Sequence, residues 1–133
     1  MILTKLSIII PVFNEEATIS LMLDKIRNVN LINNTDKEVI IVNDCSTDKT
    51  ENEIQKFIKS TPELNINYCL HVFNKGKGAA LHTGIALASG EYLIIQDADS
   101  EYDPDEYNDL LKPVIKGFAD VVYGSRFIGS NPH

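Results

Sequence analysis

The stretch "EVIIVNDCSTDKTENEIQKFIKS", residues 38–60, decides the fold class. Its first six residues, "EVIIVN" (38–43), make a nearly continuous β-branched run. That is the composition of a strand covered on both faces rather than one. Polar residues follow at once, and Ser46, Thr47 or Asp48 is expected to cap a helix that runs to Ser60. A strand, a polar turn and a helix in so short a span form a β–α unit, the building block of a parallel sheet.

The same unit recurs on both sides. Strand-like runs occur at "LSIIIPVF" (6–13), "INYCLHVF" (66–73), "EYLIIQ" (91–96) and "ADVVYG" (119–124). Helical patterns lie between them. "EEATISLMLDKIRNV" (15–29) puts Ile19, Leu21, Met22, Leu23 and Ile26 on roughly one face, with Glu15 and Glu16 expected in its first turn. "KGAALHTGIALAS" (77–89) is Ala-rich, with Gly90 as a stop signal. "DPDEYNDLLKPVIKG" (103–117) opens with Asp103 as cap and Pro104 at the first helical position. The alternation predicts an α/β fold: three layers, α/β/α, around a mostly parallel sheet with right-handed crossovers.

Bulk properties bound the function. A chain of 133 residues fits one domain, and 44% apolar with 23% charged residues is an ordinary globular balance. The net charge of −7, from 19 acidic and 12 basic residues, argues against a nucleic-acid platform, which needs a basic face. It leaves room for a phosphate compound bound through a divalent cation. Cys45 and Cys69 form no CxxC pair, so a reducing compartment is expected. The opening "MILTKLSIIIPVF" is too short in its apolar run, and too soon ended by Pro11, to read as a signal peptide. No run approaches a membrane span. A domain facing the cytosol is expected.

Ligands of open parallel sheets bind beyond the carboxyl ends of the strands. Asn14, Glu15 and Glu16 follow the first strand there, and Asn43 and Asp44 the second. Asn74, Lys75 and Lys77 follow the third, Asp97 and Asp99 the fourth, and Gly124, Ser125 and Arg126 the fifth. "NKGKG" (74–78) lacks the spacing of a phosphate loop and is weak alone. Cys45, His71, His82 and His133 form no triad or metal pair and receive no role.

The acidic segment "IIQDADSEYDP" (94–104) is the sharpest signal. Asp97, Asp99, Glu101, Asp103 and Asp105 fall at alternate positions, which an extended chain would point the same way. Asp97 and Asp99 are separated only by Ala98 where the strand runs out, so they repel unless a cation intervenes. Oxygen-only ligands suit Mg²⁺ or Mn²⁺ rather than zinc. Asp103 and Asp105 have a simpler explanation at the start of the next helix, whose dipole favours anions.

These residues, in this order, resemble glycosyltransferase family 2, nucleotide-sugar transferases of GT-A fold. The segments that carry the resemblance are "SIIIPVFNEE", "EVIIVNDCSTDKT", "NKGKGAAL", "LIIQDADSEYDP" and "DVVYGSRF". Closest in look are the polyprenyl-phosphate sugar transferases, of the dolichyl-phosphate mannose or glucose synthase type. The resemblance implies that Pro11, Phe13 and Glu15, with Asn14 among them, contact the base and ribose of the donor. It places Val42 and Asp44 at the second base-binding strand end, with Asp44 bonding the base or ribose. Asp97, Ala98 and Asp99 match the DxD motif, whose aspartates hold the Mg²⁺ or Mn²⁺ that bridges the diphosphate. Glu101 stands where these enzymes often carry a Gln that completes the metal shell. Arg126 matches the arginine of a GSR motif as a phosphate partner, and Lys77 falls near the phosphates or serves as helix-end surface.

The resemblance further implies an inverting transfer from a UDP- or GDP-sugar to a lipid phosphate or saccharide, in cell-envelope polysaccharide or glycolipid synthesis. Asp97, Asp99 and Arg126 would be the groups acting on the leaving diphosphate. Peripheral membrane association of a longer protein, at the cytoplasmic face, goes with it. Family members run well past this point, so residues 1–133 are expected to be the donor-binding part, with the acceptor-binding part missing. A non-catalytic nucleotide-binding module stays open as an alternative. A phosphoacceptor signalling domain fits less well, since Lys75 and Arg126 stand in the wrong places for it. A sugar-nucleotide pyrophosphorylase should open with a Gly-rich loop, where "PVFNEE" has none.

Overall fold

The computed structural model describes residues 3–100, 102–115 and 127–128. The chain begins with β1 (Lys5–Val12) and continues through α1 (Ile19–Asn28), β2 (Asp36–Asn43), α2 (Thr50–Ser60) and β3 (Ile66–Leu70). After α3 (Lys77–Leu87) and β4 (Tyr92–Ile95) comes a 3₁₀ turn at Pro104–Glu106, then α4 (Tyr107–Ile115) and β5 (Phe127–Ile128). The sheet order is β3-β2-β1-β4-β5. The first four strands are parallel, and β5 pairs antiparallel with β4. The expected strand at 119–124 lies outside the described residues.

Strand alternation sorts the apolar side chains onto two faces. Ile8, Ile10, Val12, Val39, Ile41 and Ile94 point to one, where α1 contributes Ile19, Leu23 and Ile26, α2 Ile54 and Phe57, and α4 Tyr107, Leu110 and Leu111. Ile9, Ile40, Val42, Leu93 and Ile95 point to the other, covered by Ala80, Leu81 and Ile85 of α3. Ile8, Ile9 and Ile10 are fully buried. Burial of each such side chain contributes about 1.5–3 kcal/mol, which is why the runs read as continuous rather than alternating. The three-layer, mostly parallel α/β reading is therefore observed.

Several local readings change. Glu15 and Glu16 lie in the turn ahead of α1, whose first turn holds no acidic residue. Ser46 and Thr47 do not cap α2: its cap residue is Lys49, and only Asp48 Oδ1 takes up a free amide, that of Thr50 at 2.9 Å. Ser46 and Thr47 bond instead to Asn43 and Asn14. The third strand stops at Leu70, and α3 stops at Leu87 with Ala88 already extended, so Gly90 is no helix cap. The helix expected from Asp103 begins as the 3₁₀ turn, with Asp103 Oδ1 accepting from Asp105 N at 3.0 Å as its cap. Both cysteines are free. No described helix is long and apolar enough to cross a membrane.

Candidate functional site

From β1 the chain passes to β2 and β3 on one side, then returns to β4 on the other. The order reverses between β1 and β4, and an open parallel sheet forms its crevice beyond such a reversal. A cavity of about 380 Å³ lies there. Pro11, Val12, Phe13 and Glu15 line it from the end of β1, and Asp44 from the end of β2. Asn74, Gly76, Lys77 and Ala80 come from the start of α3, and Asp97, Ala98 and Asp99 from the end of β4.

Most of the residues expected at a site are thus brought together: Pro11, Phe13, Glu15, Asp44, Lys77, Asp97, Ala98 and Asp99. Asn14 and Val42 are not among the lining residues. Val42 is fully buried beneath α3. Asn14, at φ 52°, turns its amide oxygen to Thr47 N at 2.7 Å and Asp48 N at 3.3 Å, while its own N–H donates to Ser46 Oγ at 2.9 Å. It joins the first two loops of the rim. Asn tolerates this left-handed backbone better than most residues, which explains its place. Glu101 and Arg126 lie outside the described residues.

At one end of the cavity stands Phe13, exposed by 44%, an aromatic face open to a planar ligand. Beside it Asp44 is only 4% exposed. Its Oδ1 accepts from His71 Nδ1 at 2.8 Å and Lys75 N at 2.9 Å, and its Oδ2 from Gly76 N at 2.8 Å. Burial alone would raise the Asp44 pKa, but these hydrogen bonds outweigh it and hold the carboxyl below its ordinary value. Asp44 is therefore an acceptor, and a group meeting it must bring a proton.

At the other end Asp97 and Asp99 follow β4. The chain turns here, with Ser100 N donating to Asp97 O at 3.1 Å, so alternate positions along 97–105 do not share one strand face. The side chain of Gln96, fully buried, holds this turn: its Nε2 donates to Asp97 O and Tyr102 O, each at 3.3 Å. Its Oε1 accepts from Tyr107 of α4 at 2.7 Å.

Lys77 Nζ lies 2.7 Å from Asp97 Oδ1. A lysine in the first turn of a helix opposes the helix dipole, so the pairing reflects the pull of this carboxylate on a cation. Hard oxygens at Asp97 and Asp99 fit Mg²⁺ or Mn²⁺, which take one or two carboxylates and fill the rest of their shell with water and phosphate oxygens. Among the described residues no third metal-ligating side chain joins them.

Residue-by-residue reading missed His71, Gln96 and Tyr107. Gln96 carried the one usable sign, an uncharged polar residue closing an apolar strand.

A mostly parallel sheet with its crevice at this reversal is the architecture of GT-A glycosyltransferases. The chain belongs to glycosyl transferase family 2, whose model matches residues 7–132. It is 31% identical to a dolichyl-phosphate beta-glucosyltransferase of Dictyostelium discoideum, a match over 91% of this chain and 39% of that protein. It is 28% identical to a dolichol-phosphate mannosyltransferase of Pyrococcus furiosus, over 93% of this chain and 34% of the relative. S. aureus TarS 1-349, solved in complex with UDP, superposes with a TM-score of 0.76 at 27% identity, covering 89% of this chain and 34% of that one. The mannosyltransferase PcManGT of Pyrobaculum calidifontis, solved with GDP-Man and Mn²⁺, gives 0.70 at 27% identity over 80% of this chain and 30% of that one. The chain thus spans well under half the length of these relatives.

Proposed function

We propose that this chain binds a nucleoside-diphosphate sugar, UDP- or GDP-linked, and supplies the donor side of a metal-dependent, inverting transfer to a polyprenyl phosphate. The observation that carries the reading is the cavity itself, which spans Phe13 and Asp44 at one end and Lys77, Asp97 and Asp99 at the other. Base and ribose fit the first end, against Pro11, Phe13 and Glu15, with Asp44 accepting from a base N–H or ribose hydroxyl. The diphosphate fits the second.

Asp97 and Asp99 would hold the Mg²⁺ or Mn²⁺, with Glu101 as a further ligand. When bound, the ion supplies positive charge that stabilises the leaving diphosphate. Lys77 adds fixed positive charge beside it, and Arg126 would do the same if it plays the part the resemblance implies. Ala98, small and 4% exposed, keeps the strand end low enough for a ligand to lie across it. A lipid phosphate is already an anionic nucleophile, so its in-line attack on the anomeric carbon needs no protein base. The names of the dolichyl-phosphate relatives support that acceptor class.

Calorimetry with UDP and GDP, with and without Mn²⁺, tests the reading. One nucleotide should bind more tightly with the ion present. Asp97→Asn and Asp99→Asn should each weaken that metal-dependent binding roughly tenfold or more, as lost metal ligation does. Absence of binding by both nucleotides, or unchanged metal dependence in both variants, sinks it. Nucleotide binding with no sugar transfer by a full-length relative carrying this segment would favour the non-catalytic module.

A further inference from the structure

His71 is not among the residues that line the cavity, yet it is bonded to one of them, Asp44. It is 5% exposed, just past the end of β3, where its backbone N–H still donates to Asn43 O at 2.9 Å. Its ring bridges two elements: Nδ1 lies 2.8 Å from Asp44 Oδ1, and Nε2 2.8 Å from Thr83 Oγ1 on α3. The order Asp–His–Thr has the outline of a nucleophilic triad. Thr83 rules that out, because its hydroxyl bonds back to Ala79 O at 3.1 Å within α3 and does not line the cavity.

We propose that His71 is a positioning residue for donor binding: it fixes the Asp44 carboxylate so that one oxygen stays available to the ligand. The proposal rests on the donor reading above.

Acceptor capacity supplies the argument. A carboxylate oxygen takes about two hydrogen bonds. Among the described residues Oδ1 is filled by His71 and the Lys75 amide, whereas Oδ2 has the Gly76 amide alone. One acceptor position is left, on the oxygen His71 does not use. Because ionised Asp44 can only accept, the proton of this pair sits on Nδ1, and the ring cannot turn over without losing the bond.

Without the ring, Oδ1 would lose its side-chain donor, and the carboxylate would be held by the Lys75 and Gly76 amides alone. The effect also reaches the diphosphate end. The Lys75 and Gly76 amides held by Asp44 immediately precede Lys77, the residue that meets Asp97. A single buried ring thus sets the base end directly and the phosphate end through three residues of loop.

Two substitutions separate positioning from plain structural support. In His71→Asn the amide nitrogen is attached at the same carbon position as Nδ1 and can still donate to Asp44. In His71→Gln the amide reaches toward the Nε2 position and Thr83 instead. Calorimetry with UDP and GDP plus Mn²⁺, beside thermal melts of each protein, should show His71→Gln binding roughly tenfold more weakly, the loss of one charge-assisted bond. His71→Asn should bind close to the unsubstituted chain, although both melt at lower temperature.

Equal affinity in both variants, or affinity that follows melting temperature rather than the nitrogen replaced, overturns the proposal. Should neither variant fold, nitrogen NMR of the unsubstituted chain decides. The His71 Nδ1–H resonance should be present and should move on nucleotide addition, and a resonance that ignores bound nucleotide overturns the proposal. If the unsubstituted chain binds neither nucleotide, the donor reading itself fails, an outcome distinct from binding that is indifferent to His71.

Discussion

Gly90 is limited by the backbone of β1 as well as by the Ser7 hydroxyl, 2.7 Å from where a Cβ would stand. An added Cβ would stand 2.7 Å from Lys5 O and 2.9 Å from Ser7 N, atoms of β1 that cannot move without breaking the sheet. Its amide donates to Ser7 Oγ at 2.9 Å, and Ser7 in turn donates to the buried carboxylate of Glu38 at 2.7 Å. Glu38 also accepts from Ser89 N and Oγ, at 2.8 and 2.7 Å, so no oxygen of this buried acid lacks a partner. Gly90→Ala should therefore cost about 1–3 kcal/mol, the usual range for overpacking a site that cannot yield. This cluster sits toward the amino ends of β1, β2 and β4, away from the cavity. Denaturant unfolding should show the loss while nucleotide affinity in the folded protein stays unchanged. Equal stability of the variant would mean that the β4 approach shifts more readily than its neighbours allow.

The element that carries the acidic pair is braced from below by α4. Tyr107 is fully buried, stacks against Tyr102 with ring centres 6.3 Å apart, and donates its hydroxyl to Gln96. Tyr107→Phe keeps the packing and leaves Gln96 Oε1 buried without its donor, a cost of about 1–3 kcal/mol. Because Gln96 also holds Asp97 O, metal-dependent nucleotide binding should weaken as well, whereas metal-free binding should not. A variant that loses stability but keeps its metal dependence would show the brace to be purely structural.

The helix and strand order was legible because burial on both faces leaves an unbroken mark in "VIIV" and "LII". Asp97, Asp99 and Phe13 were legible because their positions follow directly from the strand ends. His71 was not, because its partners Asp44 and Thr83 are 27 and 12 residues away and meet only once β2, β3 and α3 are packed. The caps at Ser46 and Thr47 were misread for the same reason. Local propensity favoured a cap, but the competing acceptors, Asn14 and Asn43, belong to the folded rim.

At the scale of the whole molecule, the acids that fold with the chain are the ones hydrogen bonds hold down. Burial alone would raise Glu38, Asp44, Asp48 and Glu91, but their bonded donors leave each below its ordinary value, 4.5 for Glu and 3.8 for Asp. Since the folded pKa is the lower one, the unfolded chain takes up protons first. The stability these groups contribute is complete above the ordinary carboxylate values and is lost as pH falls through the folded ones. Tyr68 and Tyr107 act at the other limb. Burial raises both above 10.0, with a bond to Glu51 adding to it at Tyr68, so their contribution holds below that value and is lost as pH climbs past it. Lys37 opposes that limb, because burial lowers its pKa and folding becomes easier once it is neutral. Melting temperature plotted against pH should therefore be level from about 5 to 9 and fall on the acid side below about 4. Glu38→Gln, which keeps an acceptor for Ser7 and Ser89 but removes the titrating group, should lower the plateau and make the acid limb shallower. An acid limb of unchanged steepness in that variant would assign it instead to groups spread over the surface of this chain, whose net charge is −7.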